Sequence, residues 1–171
     1  MIPQKLTNFM CYNRNREMMG VVDAVLPNFQ YMTESMSGAG IAGEIDSPVI
    51  GHFQSLTATI NFRVPTAENL TLLAPETHHF DMRGNIQLQD ERTGQIVNSP
   101  VRAIIQGMPK GLNVGNLGVG IHTGTSLEIE VTRIQLSANN RNIIEVDKIN
   151  FRCIINGIDY LAPVRRNMGL S

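Results

Sequence analysis

Several groups of residues in this chain have types and spacings that could support chemistry. His78 and His79, followed by Asp81, offer two imidazoles and a carboxylate close together in sequence, a set able to hold a metal ion. Adjacent histidines at a strand start point to opposite faces, however, and His52 and His122 lie in loop-like surroundings, so the four read as structural or solvated side chains. The glycines of GLNVGNLGVG, Gly111 to Gly120, suggest a phosphate cradle. No Lys-Ser or Lys-Thr closes that loop and no helical pattern follows it. Glu128 and Glu130 share one face of a strand and could form a carboxylate pair, yet carboxylates on an exposed polar face are ordinarily just solvated. Ser35, Ser37 and Ser47 have no GxSxG context. Cys11 and Cys153 are too isolated for a disulfide framework and lack zinc-ligand spacing, so both read as reduced thiols of a chain folding in a cytoplasm. No catalytic, metal or cofactor residue is assigned, and the chain reads as a non-enzyme.

The composition points the same way. Lys plus Arg number 14 against 15 Asp plus Glu, without the basic excess that holds a protein on a phosphate backbone. With 17% charged residues, no Trp, and abundant Gly, Asn, Thr, Ile and Val, strands and turns are favoured over helices. A chain of 171 residues fits one domain able to bury an apolar core, and residues 1–171 are read as such. The opening MIPQKLTNFMCYNRNREMM has no uninterrupted apolar stretch for export, and apolar runs elsewhere fall short of the roughly 20 residues of a membrane helix. A soluble protein that does not insert in membranes is expected. No internal repeat is apparent.

These side chains must be carried by strands. Gly20 to Thr33 reads as one strand, with Pro27 forcing an edge or a bulge. Ser35 to Gly51 is rich in glycine and small residues and should project from the body. Leu56, Ala58, Ile60, Phe62 and Val64 alternate with Ser55, Thr57, Thr59, Asn61 and Arg63, the clearest strand of the chain. PTAENLTLLA predicts a short helix with Ala67, Leu70 and Ala74 on one side, expected to be the only one. Phe80 to Gln89 and Ile96 to Gln106 form a hairpin through DERTGQ, and Gly107 to Thr125 reads as a flexible segment outside the core. Leu127, Ile129 and Val131 change parity to Ile134 and Leu136, predicting a bulge near Thr132 and Arg133. A second parity change falls near Lys148. Asn156-Gly157 predicts a two-residue hairpin turn leading into a last strand, IDYLA. A projection, a glycine-rich loop and unclosed sheet edges are assembly features, against the alternative of an ordinary hairpin on a monomer.

The C-terminal third, with IEVDKINF ending at Phe151, Asn156-Gly157, and an RRN-G-L ending over Arg165 to Leu170, closely resembles the tail tube proteins of temperate contractile-tailed phages and related phage-tail-like bacteriocins. Met19-Gly20-Val21-Val22 and Leu26-Pro27 are similar too. The resemblance covers nearly the whole chain, least over Met108 to Thr125, while Ser37 to Gly51 matches in character rather than letters. It implies a mainly β fold: an antiparallel β-sandwich or barrel with one short flanking α-helix and a long projecting β-hairpin, related to the type VI secretion tube. It also implies an N-terminal arm over 1–19 and an extended hairpin over about 21–64. The implied function is a structural subunit of homo-hexameric rings stacking into a hollow tube within a contractile sheath, with DNA present only in transit. Baseplate, tape-measure and tail terminator proteins are the implied further partners, and the virion, assembled in the bacterial host cytoplasm, is the implied location. The alternatives are a type VI-like secretion tube carrying effectors and a small ligand-binding β-barrel.

On this reading Thr33, Ser37, Gly38, Ala39, Gly40, Ile41, Ala42, Gly43, Glu44 and Ile45 form the inter-subunit hairpin. Arg165, Arg166 and Asn167 make a C-terminal subunit contact, since they would otherwise be a solvated tail. The polar faces offering Thr57, Thr59, Asn61, Glu128, Glu130 and Thr132 are expected to line the lumen, where a continuous basic lining would trap DNA.

Overall fold

The strict alternation around Ile60 does what period-2 patterning requires: β6 (Thr57–Phe62) buries Ala58, Ile60 and Phe62 and turns Thr57, Thr59 and Asn61 the other way. In the computed structural model, which describes residues 1–170, the chain is mainly antiparallel β with two short helices. The hub is β9 (Thr125–Ala138), paired along one edge with the long β8 (Ile96–Asn113). Its other edge is shared. Residues 125–130 pair with β6, and residues 133–138 pair with β10 (Arg141–Asp147). The change of partner falls on the predicted bulge, where the β8 register passes from Gln106↔Arg133 to Gly107↔Val131 and skips Thr132. A Cβ on Gly107 would lie 2.1 Å from the Glu130 carbonyl oxygen, so only glycine lets the two strands close at this bend.

From β8 the sheet continues through β7 (His78–Gln89) to β1 (Ile2–Tyr12) and β2 (Met18–Met19), and from β10 through β11 (Arg152–Ile155) to β12 (Ile158–Asp159). β3 (Val21–Val25) adds to the free side of β6. Strands that bend at bulges let one sheet wrap a single core. That core joins Ile60 and Phe62 to Phe80, Ile105, Leu127, Ile129, Ile134 and Val146. β4 (Tyr31–Ser37) and β5 (Glu44–Phe53) form a separate two-stranded hairpin in which every β4 residue is exposed. Among the described residues no helix is long and apolar enough to cross a membrane.

Five local expectations need correction. The strand expected over 20–33 is two strands, because Pro27 cannot donate and the backbone leaves the sheet after Val25. β3 is nevertheless an edge with a register slip after Val21, as Pro27 suggested. Helix α1 (Ala67–Thr71) buries Asn69, not the Ala67 and Leu70 side. A helix this short is oriented by its ends: Thr66 Oγ1 accepts the Asn69 N–H at 3.3 Å, and Asn69 Nδ2 donates to the Val64 carbonyl at 3.3 Å. Residues 107–113, read as part of a flexible segment for their glycines, continue β8, with a second register slip between Pro109 and Gly111 absorbing the irregularity. The parity change near Lys148 falls in a turn, which interrupts the strand expected over Glu145 to Phe151. Asp147 Oδ1 accepts the N–H groups of Ile149 at 3.1 Å and Asn150 at 2.9 Å and reverses the chain into β11.

The fifth correction concerns the chain end. Asn156 and Gly157 take φ values of 49° and 84°, as a two-residue hairpin turn demands. The strand after them stops at Asp159, and residues Ala162–Asn167 form a second helix, α2. Pro163 occupies its first turn, where a missing N–H removes no helical bond.

Candidate assembly surfaces and a polar wall

The face of β6 and β9 turned away from the core gathers five of the six expected lumen residues into one patch. Thr57 lies opposite Glu130 and Thr59 opposite Glu128, while Asn61 faces Ser126. Thr132 sits at the bulge, its hydroxyl donating to the Gln106 carbonyl at 3.3 Å. Three further charges belong to the patch. Asn61 donates to Asp23 of β3. Lys110 Nζ lies 3.1 Å from Thr57 Oγ1, 3.8 Å from Glu128 and 3.7 Å from Glu130. Lys148 Nζ stands 3.8 Å from Glu130. Partial burial works to raise the Glu130 carboxyl's pKa, but the Ser55 hydroxyl at 2.6 Å, Lys148, a backbone bond from Leu56 and Lys110 outweigh it and hold it low. Three carboxylates (Asp23, Glu128, Glu130) against two ammoniums (Lys110, Lys148) leave the wall one negative charge, with no arginine among these side chains. Lys110 was not visible as part of this wall because its segment carries loop-like glycines.

The neighbouring part of the same sheet is built differently. Asp81 on β7 accepts from Arg102 Nε at 2.7 Å and from Arg83 at 2.7 Å, and Arg83 stacks over the Tyr12 ring at 5.5 Å. Partial burial opposes ionisation of Asp81, yet the two guanidiniums bring its pKa down to about 2. Arg133 donates to Glu145 at 3.1 Å.

The histidine pair does not assemble into a ligand set. His78 Nε2 lies 3.2 Å from the Ala74 carbonyl, and among the described residues no three His, Cys, Asp or Glu side chains converge on a metal position. Both cysteines are buried, and burial with the nearby Asp81 raises the Cys11 thiol to about 12.

In the hairpin, Thr33 pairs with Pro48 and Ser37 with Glu44, and residues 38–43 form the tip that carries Gly38, Ala39, Gly40, Ile41, Ala42 and Gly43. Ile45 is exposed beside Met32, Met36 and Ile50. The base is fixed by Phe53, which stacks on Tyr31 at 4.6 Å and meets Phe29 edge-on at 5.7 Å. At the chain end the three expected contact residues separate. Arg166 and Asn167 are exposed, whereas Arg165 is engaged within its own subunit, donating to the Phe151 carbonyl at 2.6 Å and to Asp159 at 2.7 Å. The alternative of a solvated tail does not hold for Arg165, because α2 and these two hydrogen bonds seat it.

A family model described as phage tail tube protein FII matches residues 3–169. The chain belongs to this family. The tail tube protein of Escherichia phage P2 is 30% identical over 82 residues, 48% of this chain and 46% of that protein, so the alignment spans less than half of the relative's length. Three solved structures show the fold. A chain of the sheath/tube terminator of an extracellular contractile injection system, PVC, in its extended state superposes with a TM-score of 0.57 at 12% identity, covering 80% of this chain and 98% of that one. A chain of the PVC sheath–tube complex follows with a TM-score of 0.53 at 12% identity, covering 81% and 92%. A chain of the tube-terminating cap of the anti-feeding prophage gives 0.52 at 14% identity, covering 80% and 91%.

Proposed function

We propose that this chain is the structural subunit of a phage tail tube, or of the tube of a phage-tail-like particle, forming hexameric rings that stack into a hollow conduit. The observation that carries the reading is the sub-sheet holding the polar wall, taken together with membership of the tube family. Its strands run β3, β6, the first half of β9, and residues 108–113 of β8. Among the described residues both outer edges are unpaired, since β3 pairs only with β6, and β7 reaches β8 only as far as Gly107. An open edge at each side lets β3 of one copy bond to Met108–Asn113 of the next, so that a ring closes without leaving an edge.

In such a ring the polar face made by Thr57, Thr59, Asn61, Glu128, Glu130 and Thr132 lines the channel. Lys110 is held between carboxylates rather than presented to a passing phosphate, so sliding DNA meets no run of free cations. The hairpin over 33–45 serves the neighbouring subunit, and the segment over 1–19, which is β1 and β2 of its own sheet rather than a free arm, does so through its exposed face. Sheath, baseplate, tape-measure and terminator proteins are the partners this role needs, with the virion as the site of action and the host cytoplasm as the site of assembly. The phage-tube family match over residues 3–169 favours this reading over a type VI-like secretion tube.

Replacing Glu128 and Glu130 with Lys tests the wall assignment. Glu128 is exposed and Glu130 is partly buried, but neither enters the apolar core, so rings should still form while DNA ejection slows, most strongly at low salt where the added cations are least screened. Ejection at the normal rate in low salt contradicts the assignment.

A further inference from the structure

The loop between β8 and β9 combines a pinned neck with a bare apolar tip. At the neck, Asn116 N–H donates to the Thr123 carbonyl at 2.8 Å, Thr123 N–H to the Arg63 carbonyl at 3.0 Å, and the Thr125 hydroxyl to the Val114 carbonyl at 3.0 Å. Gly115 has φ of 83°, and a Cβ there would stand 2.0 Å from the Thr123 carbonyl oxygen, so the crossing of the two loop arms requires glycine. Beyond this neck Leu117, Val119 and Ile121 are exposed, Leu117 at 91%, and no charged residue lies between Val114 and Ile121. A mobile linker has no physical need for three large apolar side chains held on a hydrogen-bonded stalk; a contact surface does.

The same chain carries an apolar recess of about 130 Å³ lined by Leu6, Phe9, Leu26, Gly84 and Val101. No lining residue is charged, and Leu6 and Leu26 remain half exposed. Knob and recess lie apart along the strands that border both. The loop leaves β8 at Asn113, whereas Val101 lies twelve residues earlier on that strand, about 40 Å of extended chain. On β3 the order repeats: Val21 pairs with Phe62 at the loop end, and Leu26 follows Val25 at the far end. Hydrogen bonds at the neck hold the tip out in solvent rather than in the recess of its own subunit, so the recess is left to a second copy.

A knob and a recess set apart on one subunit are a heterologous pair, which propagates head to tail. We infer that the Leu117–Ile121 loop seats in the Leu6/Phe9/Leu26 recess of a second copy of this chain stacked end to end with the first. The inference rests on the tail tube reading and adds to it a stacking contact separate from the β4–β5 hairpin.

The test uses the full chain with Val119→Cys and Leu26→Cys, alone and together, treated with a short bismaleimide after assembly. The native Cys11 and Cys153 are buried and stay silent. The double variant should give a ladder of covalent dimers, trimers and longer chains, and each single variant only monomer. In parallel, Leu117→Asp with Val119→Asp should leave the subunit's melting curve unchanged but lower tube yield at least tenfold by negative-stain microscopy. If wild-type tubes form and the aspartate variant forms them equally well, or the double-cysteine tubes give no ladder, the inference is overturned while the tube reading stands. A wild type that stays monomeric at high concentration overturns both.

Discussion

The β4–β5 hairpin and the turn-helix unit that closes the chain treat their exposed groups in opposite ways. In the closing unit, Asp147 ends β10 by capping its turn, Arg165 ties that turn to Asp159, and Cys153 and Leu161 enter the core. In the hairpin, Met32, Met36, Ile45 and Ile50 face solvent, and among the described residues the strands pair only with each other. One region completes its contacts inside the subunit and the other leaves them open. Residue identities in the first are dictated by specific bonds; in the second only length, small size and apolar character are required. That difference accounts for a family resemblance carried by letters over Glu145–Phe151 and by character over Ser37–Gly51.

The largest expected effect that follows is on assembly. Deleting Ser37 to Ile45 removes no core residue, so melting of the subunit should shift by no more than a few degrees, while tube formation should fall at least tenfold by electron microscopy. Normal tubes from the deletion variant would erase the contrast between the two regions.

Arg165→Ala comes next, and its effect belongs to folding. Loss of charged hydrogen bonds to Phe151 and Asp159 should cost about 2–3 kcal/mol, a fall in Tm of about 5–10 °C by calorimetry. An unchanged Tm combined with poor assembly would return Arg165 to the interface.

Asp81→Asn probes the arginine-bearing part of the sheet. At neutral pH the loss of charge on the acceptor for Arg83 and Arg102 should destabilise by about 1–3 kcal/mol. The sign with pH follows from the depressed pKa: Asp81 stabilises the fold fully above its unfolded value of about 4 and loses that contribution as pH falls towards about 2. The stability difference between wild type and variant should therefore shrink across that window in urea titrations, and a constant difference would mean the ion pair is not its source. Smallest is Arg166→Ala. Being exposed, it should change stability by less than about 0.5 kcal/mol, and a measurable loss of tube yield would make Arg166 the subunit contact.

Much of the sheet was legible because one face is buried and alternation marks it. The β6 run, the hairpin through Asp90 and the Thr132 bulge are all parity statements about side chains with nowhere else to go. The misreadings share a cause. Gly107 and Gly111 look like loop punctuation, but Gly107 is in β8 because the Glu130 carbonyl leaves no room for a Cβ, a tertiary fact that local composition does not carry. Lys110 was hidden with them, and so were the salt bridges it makes across the polar wall. α2 was missed because Arg165, Arg166 and Asn167 read as a subunit contact at a chain end; Asp159, six residues before Arg165, was the available signal. The face of α1 was misjudged for want of the Asn69 bond to Val64.

Cryo-electron microscopy of tubes grown from the purified full chain decides whether the acid-and-threonine face is the inner wall of a tube. A hollow tube is expected in which β3 of one copy is hydrogen-bonded to Met108–Asn113 of the next and the Glu128 and Glu130 carboxylates point into the channel. A map with those carboxylates on the outer surface, or a chain that remains a monomer at every concentration tried, contradicts it.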